Sequence, residues 1–248
     1  MTTNKNIIIG ITERGDAGID FSWVDKIQST AYSVVITKNT TTERFHKAAL
    51  ENASKILLHA TVTGWGGTPM EPNVPSPEES VASVTRLVTE GFPAEQIVWR
   101  IDPIVPANGE LGLKAAHRAF RLINESKHIH NITRIRVSVV DGYAHSLRRM
   151  AAVGIKPNFS QASWNRVNDM LRYWEKQGFT IEACAEPKLY ASHTGCVNML
   201  DAQRFGVDIA NLPINGQKRS GCLCSTAKTE LLTNRKQCPH KCAYCYWR

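Results

Sequence analysis

Three cysteines close to the end of the chain, Cys238, Cys242 and Cys245, are separated by three and then two residues. A loop this short can turn three thiolates toward three corners of a cubane iron–sulfur cluster. The fourth iron then has no protein ligand and is open to a chelating small molecule that can accept an electron. Other chemistry fits the same residues. Zinc closes its shell with four ligands, and His240 or another cysteine would supply the fourth. A dithiol redox pair would use Cys242 and Cys245, but such pairs sit at a helix start beside a strand, and only three residues follow Cys245. A purely structural cluster of thiols is the last alternative.

The chain has seven cysteines, so Cys184, Cys196, Cys222 and Cys224 remain. Four thiolates make a complete ligand set, and a second iron–sulfur cluster is the expectation, with zinc or unmetallated thiols as alternatives. This cysteine usage points to a reducing compartment, with metal or redox chemistry in place of a disulfide framework. The apolar run at 7–11 is far too short for a signal peptide, and no run of about 18 apolar residues offers a membrane span. A cytoplasmic protein is expected (in the host cytoplasm, if phage-encoded), with no membrane partner.

An aromatic residue, Tyr244, directly precedes the last cysteine, and with it the motif resembles that of the radical-SAM superfamily. The resemblance implies a [4Fe–4S] cluster on Cys238, Cys242 and Cys245, with S-adenosylmethionine chelated at the open iron and cleaved to a 5′-deoxyadenosyl radical. It also implies an electron donor such as flavodoxin or ferredoxin. In most such enzymes the motif follows the first strand, whereas here it ends the chain. A circularly permuted barrel is therefore expected, with this loop beside residues 13–16. Over nearly its whole length the chain is also similar to an uncharacterised family with a comparable cysteine-rich tail. The matching features are Thr37-Lys38-Asn39, Thr61-Val-Thr-Gly64, Glu71-Pro72, Arg100-Ile-Asp-Pro103, Cys184-Ala-Glu186, Gly221-Cys-Leu-Cys224-Ser225 and the tail. Thr226-Ala-Lys228 replaces a more acidic stretch, so no acid role carries over there. Finally, the chain is similar to small phage radical-SAM isomerases of thymidine hypermodification. That likeness implies DNA carrying modified thymidine as partner, with a glycine on the thymine methyl rearranged from an N-linked to a C-linked form. RNA, a peptide or a small metabolite as substrate stays open, as does a non-catalytic zinc or iron–sulfur module that binds nucleic acid.

The elements that must position these groups alternate along the chain. β-Branched runs at 7–11, 33–37, 56–62, 97–101, 135–140 and 180–185 predict strands. Helical patterns lie at 21–30, 42–52, 77–90, 111–127, 143–153 and 160–177. Ser76, Pro77 and Glu79 spell a capping box, and Ser160 is the expected cap of the helix whose stripe is Trp164, Val167, Leu171 and Trp174. Those tryptophans read as packing rather than as a stacking platform. Strand–helix alternation implies a parallel sheet, and six strands with room for one or two more favour a full or partial parallel (β/α) barrel. No Gly-rich dinucleotide fingerprint follows the first strand. One domain is expected, with a barrel body over 1–215 and a basic, cysteine-rich cluster-binding segment over 216–248.

In a parallel barrel the chemistry collects at the carboxyl ends of the strands. Arg14, Thr63, Arg100, Asp102 and Ser138 lie there and, with Tyr244, are the expected contacts for S-adenosylmethionine; Arg suits its carboxylate. Lys38, Trp65, Glu71 and Asp141 are expected to face substrate. The net charge is +8, and residues 216–248 hold seven basic side chains against the single acid Glu230. A second basic run includes Arg134, Arg136, Arg148 and Arg149. Both stretches are expected to attract a polyanion, or else to form solvated faces or offset the charge of a thiolate-bound cluster.

Overall fold

The computed structural model describes residues 7–107, 110–210, 212, 221–233 and 237–246. Six strands fall on the predicted runs: β1 Ile9–Ile11, β2 Tyr32–Thr37, β3 Ile56–Thr61, β4 Ile97–Ile104, β5 Arg134–Val139 and β6 Thr180–Ala183. Two further strands, β7 Ser192–His193 and β8 Thr229–Glu230, have two residues each. The helices are α1 Trp23–Ile27, α2 Glu43–Glu51, α3 Pro77–Thr89, α4 Leu111–His130, α5 Ala144–Ala152, α6 Gln161–Lys176 and α7 Met199–Arg204. Ser76 and Glu79 form the full capping box of α3, and the Ser160 hydroxyl accepts the Ser163 N–H at the start of α6.

Among the described residues the strands form one all-parallel sheet in the order β7-β6-β5-β4-β3-β2-β1-β8. Sequential neighbours wound in one direction roll the sheet into a partial (β/α) barrel. The last strand lies beside the first, with Gly10 opposite Thr229. No ladder joins β7 to β8 among the described residues. That seam is bridged instead by the Ser225 N–H, which donates to the Val197 carbonyl at 2.9 Å.

One face of the sheet is apolar. Ile56, Leu58, Trp99, Ile101, Ile135, Val137 and Ile181 meet Trp23, Phe45, Val84, Phe120 and Trp174 from the helices in a single layer. A doubly wound sheet would divide those helices between two faces. Trp174 is fully buried and stacks on Phe120 with ring centroids 4.8 Å apart, so packing is its role. The inner face is mixed. Ile9, Ile11, Tyr32 and Val34 make its β1–β2 side apolar, whereas β3 to β6 turn His59, Arg100, Arg136 and Glu182 into it. At the amino-terminal end, Phe205 stacks on Tyr32 at 4.8 Å and Asp201 of α7 accepts from Arg134 Nη1 at 2.7 Å. No helix among the described residues is long and apolar enough to cross a membrane.

Gly64, just past β3, shows how closely the mouth is built. Its φ is +84°, and a Cβ there would stand 1.9 Å from the Ala115 carbonyl oxygen of α4. Gly64→Ala is expected to lower stability by about 1–3 kcal/mol, read as a fall in the urea midpoint at constant slope. An unchanged midpoint would show that α4 yields to the added methyl.

Candidate metal centre

Residues 237–246 lie across the carboxyl ends of β1, β2 and β3 and reach α5. His240 Nε2 meets Asp16 Oδ2 at 3.0 Å, and Nδ1 meets the Asn73 carbonyl at 2.9 Å. Both partners only accept hydrogen bonds, so both ring nitrogens carry protons and His240 is an imidazolium. Burial works against that charge, yet the Asp16 carboxylate raises the His240 pKa above its ordinary value. Asp16 is lowered: burial pushes it up, but His240, Thr37 and the Lys38 N–H together prevail. Asp16 also accepts from Thr37 Oγ1 and Lys38 N, each at 2.6 Å, which ties the tail to the end of β2. Asn73 Nδ2 donates to the Pro239 carbonyl at 2.7 Å, and the Ala243 N–H donates to Met70 O at 2.9 Å. From α5, Arg149 donates to the carbonyls of Ala243 and Cys245. The tail therefore lies beside Asp16, just past the carboxyl end of β1.

This docking presents the three thiols together on one loop. Cys242 is buried, Cys238 and Cys245 are half-buried, and all three are free. Burial pushes the thiol of Cys242 up to about 12 and also raises Cys238, with the Lys38 ammonium opposing both shifts. As they stand, no three His, Cys, Asp or Glu side chains among the described residues are set to hold a metal ion. The donor chemistry still distinguishes between ligands. His240 is the one imidazole on the loop, and with both nitrogens protonated and bonded it has no lone pair for zinc. The loop thus fits a group that takes three thiolates from one short segment, as an iron–sulfur cluster with one open iron does.

Beside the thiols lies a polar network centred on Glu71, which is fully buried. Glu71 accepts from Lys38 Nζ at 2.9 Å, from Thr63 Oγ1 at 2.5 Å and from the Tyr244 hydroxyl. A second group joins Arg100, Asp102 and Ser138: Asp102 accepts from Ser138 Oγ at 2.5 Å and from the Arg100 guanidinium. Lys38 Nζ links the two by donating to the Asp102 carbonyl at 3.4 Å. Thr63, Tyr244, Arg100, Asp102 and Ser138 are thus brought together with Lys38 and Glu71. Arg14 stands apart at the β1–β8 edge, where its N–H donates to Glu230 Oε2 at 3.0 Å. Asp141 is exposed on the rim. Trp65 departs from expectation: it is buried with Met70 and Val105 beneath Ala243 and supports the tail from below.

The remaining cysteines gather at the seam. Cys184 follows β6, Cys196 follows β7, and Cys222 and Cys224 precede β8. Cys184 and Cys196 are hydrogen-bonded to each other, and this contact, with Arg136, Arg100 and Lys228 nearby, lowers Cys196 well below the ordinary thiol value against the effect of burial. Cys184 is raised in turn, and burial raises Cys224 to about 11. Sequence reasoning missed His59 and the inward turn of Arg136. The signal for Arg136 was present, since Arg134-Ile-Arg-Val137 alternates on a strand whose two faces are both covered.

The basic run at 134–149 also departs from expectation. Arg134 pairs with Glu182 and Asp201, Arg136 with Glu182, and Arg149 with tail carbonyls, so of the four only Arg148 is exposed. In the tail, Lys228 pairs with Glu13 and Lys241 is exposed; Lys218, Arg219, Arg235, Lys236 and Arg248 lie outside the described residues. Aromatic rings stand on the same rim. Exposed Tyr143 stacks on His145 at 5.7 Å and tilts toward exposed Tyr246 at 6.2 Å, and Phe159 is exposed nearby against Gly142.

A family model described as a domain of unknown function (DUF1848) matches residues 22–247, so the chain belongs to that family. No curated protein matches it.

Breaking a buried ion pair from one side costs about 3–5 kcal/mol. Asp16→Asn and His240→Gln are each expected to release the tail, seen as lost hydrogen-exchange protection at Ala243 with the strand amides still protected. Unchanged protection at Ala243 would mean that the Asn73, Met70 and Arg149 contacts hold the tail unaided.

Proposed function

We propose that this DUF1848 member is a radical-SAM enzyme whose cluster is held by Cys238, Cys242 and Cys245. The observation that carries this reading is the doubly bonded His240, which leaves a docked loop with three thiols and no fourth ligand of its own. When bound there, a [4Fe–4S] cluster would bind S-adenosylmethionine at its open iron and supply a 5′-deoxyadenosyl radical.

The residues of this chain have separate tasks in that reading. Asp16 and His240 hold the loop in place. Lys38 offsets thiolate charge while remaining tied to Glu71. Arg100 offers a guanidinium fork for the methionyl carboxylate, and Asp102 and Ser138 offer acceptors for its ammonium or for ribose hydroxyls. Tyr244 is turned toward Glu71 and supports the loop through its hydroxyl. A flavodoxin or ferredoxin would deliver the electron, and seven free thiols suit a reducing cytoplasm.

For substrate we propose DNA carrying a glycine-modified thymidine, isomerised from the N-linked to the C-linked form. The C–N bond to the thymine methyl carbon and one Cα–H bond of the glycine break, a C–C bond to the glycine α-carbon forms, and a hydrogen ends on the freed amine, so the product is an isomer and no net oxidant or reductant is consumed. The exposed Tyr143 and Tyr246 rings, with His145 stacked on Tyr143, support this substrate, because aromatic rings beside cations suit an unstacked base.

Anaerobically reconstituted protein is expected to form 5′-deoxyadenosine from S-adenosylmethionine only with a reductant, and Cys242→Ala to form none. A chain that carries a cluster but forms no 5′-deoxyadenosine would be a binding module. Incubation with the modified DNA should convert the N-linked nucleoside to an isobaric product resolved by chromatography and mass spectrometry. An unaltered nucleoside profile from turnover-competent enzyme would exclude that substrate.

Base stacking on an aromatic ring is worth about 1–3 kcal/mol. Tyr143→Ala combined with Tyr246→Ala should therefore weaken single-stranded DNA binding at least about tenfold in a fluorescence-anisotropy titration, with the fold intact. Equal affinity for wild type and variant would remove the rim from the substrate path.

A further inference from the structure

We infer that Cys184, Cys196, Cys222 and Cys224 bind a second metal centre, a zinc ion or an iron–sulfur cluster, at the open seam of the barrel. The inference stands apart from the radical-SAM reading and uses none of its residues.

The first observation is convergence from distant parts of the chain. The carboxyl end of β6, the residues after β7 and the approach to β8 all bring cysteines to the seam where no ladder closes the sheet among the described residues. The Cys184 and Cys196 side chains lie close enough to interact. Gly195 lies so close to the other arm that a Cβ there would stand 2.5 Å from Cys224 N and Cα. Cys196 and Cys224 share one buried cluster, with Cys222 packed against it. Backbones pressed together at a glycine, with a cysteine directly after it and another directly opposite, have the form of a ligand clasp.

The second observation is independent of the thiols. Arg136 is 2% exposed; its Nη2 donates to Glu182 at 2.6 Å, and the rest of its guanidinium has no acceptor other than the Cys196 sulfur among the described residues. His59 is fully buried, and neither of its ring nitrogens has a partner among the described residues. Buried donors are nearly always satisfied. These two side chains belong to one inner-face group with Arg100, and Arg136 stands against Cys196. A centre bound by four thiolates carries net negative charge, and N–H donors beside its sulfurs are its usual outer shell. Four thiols acting only as small hydrophobes would explain their burial but leave these donors unexplained.

As they stand, no three of the described thiols are set at metal-holding distance; the backbones are already in contact at Gly195, so binding asks the four cysteine side chains to turn toward one point. Zinc and iron–sulfur clusters share the tetrathiolate chemistry, and metal analysis separates them.

The test uses the full chain with Cys238, Cys242 and Cys245 all changed to Ala, purified anaerobically from cells supplied with iron and zinc. The variant is expected to retain about one zinc, or about four irons with matching sulfide, per chain. Adding Cys196→Ser should remove that metal, with the circular-dichroism spectrum retained. A folded triple variant without stoichiometric metal overturns the inference. Cobalt titration of the stripped triple variant gives a second readout, independent of expression conditions. Thiolate-to-cobalt charge-transfer absorption saturating at one equivalent supports the site, and its absence overturns it. Should the triple variant fail to fold, wild-type protein must carry metal beyond one cluster, and a total that stops there also overturns the site.

Discussion

A charged histidine buried between a carboxylate and a carbonyl decides where the end of this chain can lie. His240 and Asp16 are 224 residues apart and meet at 3.0 Å. Each is held by further bonds, Asp16 by Thr37 and the Lys38 N–H, and His240 by Asn73. Neither charge is tolerable there without the other. The pair therefore acts as a register pin: it places Cys238 on one side and Cys242 on the other, and it brings Tyr244 to Glu71. With Trp65 and Met70 packed beneath Ala243, the loop has a floor as well as an anchor.

The barrel behind that loop has two electrostatic characters. Its β1–β2 side is apolar, while β3 to β6 direct a histidine, arginines and a glutamate inward. Arg134, Arg136, Glu182 and Asp201 compensate one another through a chain of ion pairs. That arrangement is a poor way to fill a core, and what it offers a bound anion is guanidinium N–H groups rather than net positive charge. The same side leads to Arg100, Asp102 and Ser138 at the mouth. The chemistry proposed at the tail and the metal centre inferred at the seam thus draw on one field from two ends.

Much of this was legible in the sequence for simple reasons. β-Branched runs alternating with amphipathic stretches located six strands and six helices, and the caps at Ser76 and Ser160 were read directly. Other features were hidden by length or distance. β7 and β8 have two residues each and take their pairing from neighbours, so they leave no hydrophobic run to find. α7 is a six-residue plug whose role depends on Asp201 meeting Arg134. Arg134 and Arg136 looked like surface charge because their partners lie far along the chain. Trp65 looked like a substrate contact because it follows a strand end, where a tail from far along the chain covers it. The cysteine spacing announced the site, and the place of Asp16 just past β1 put it beside the tail, but nothing in the sequence pointed to its pairing with His240.

The central claim is that three thiolates at the barrel mouth leave one iron open to S-adenosylmethionine. Electron paramagnetic resonance of the reduced, reconstituted protein addresses it directly. The account predicts a [4Fe–4S]⁺ signal whose g-values shift on adding S-adenosylmethionine, with hyperfine broadening when the methionyl carboxylate carries oxygen-17. A signal that is indifferent to the nucleotide, or no cluster signal at all, would contradict it.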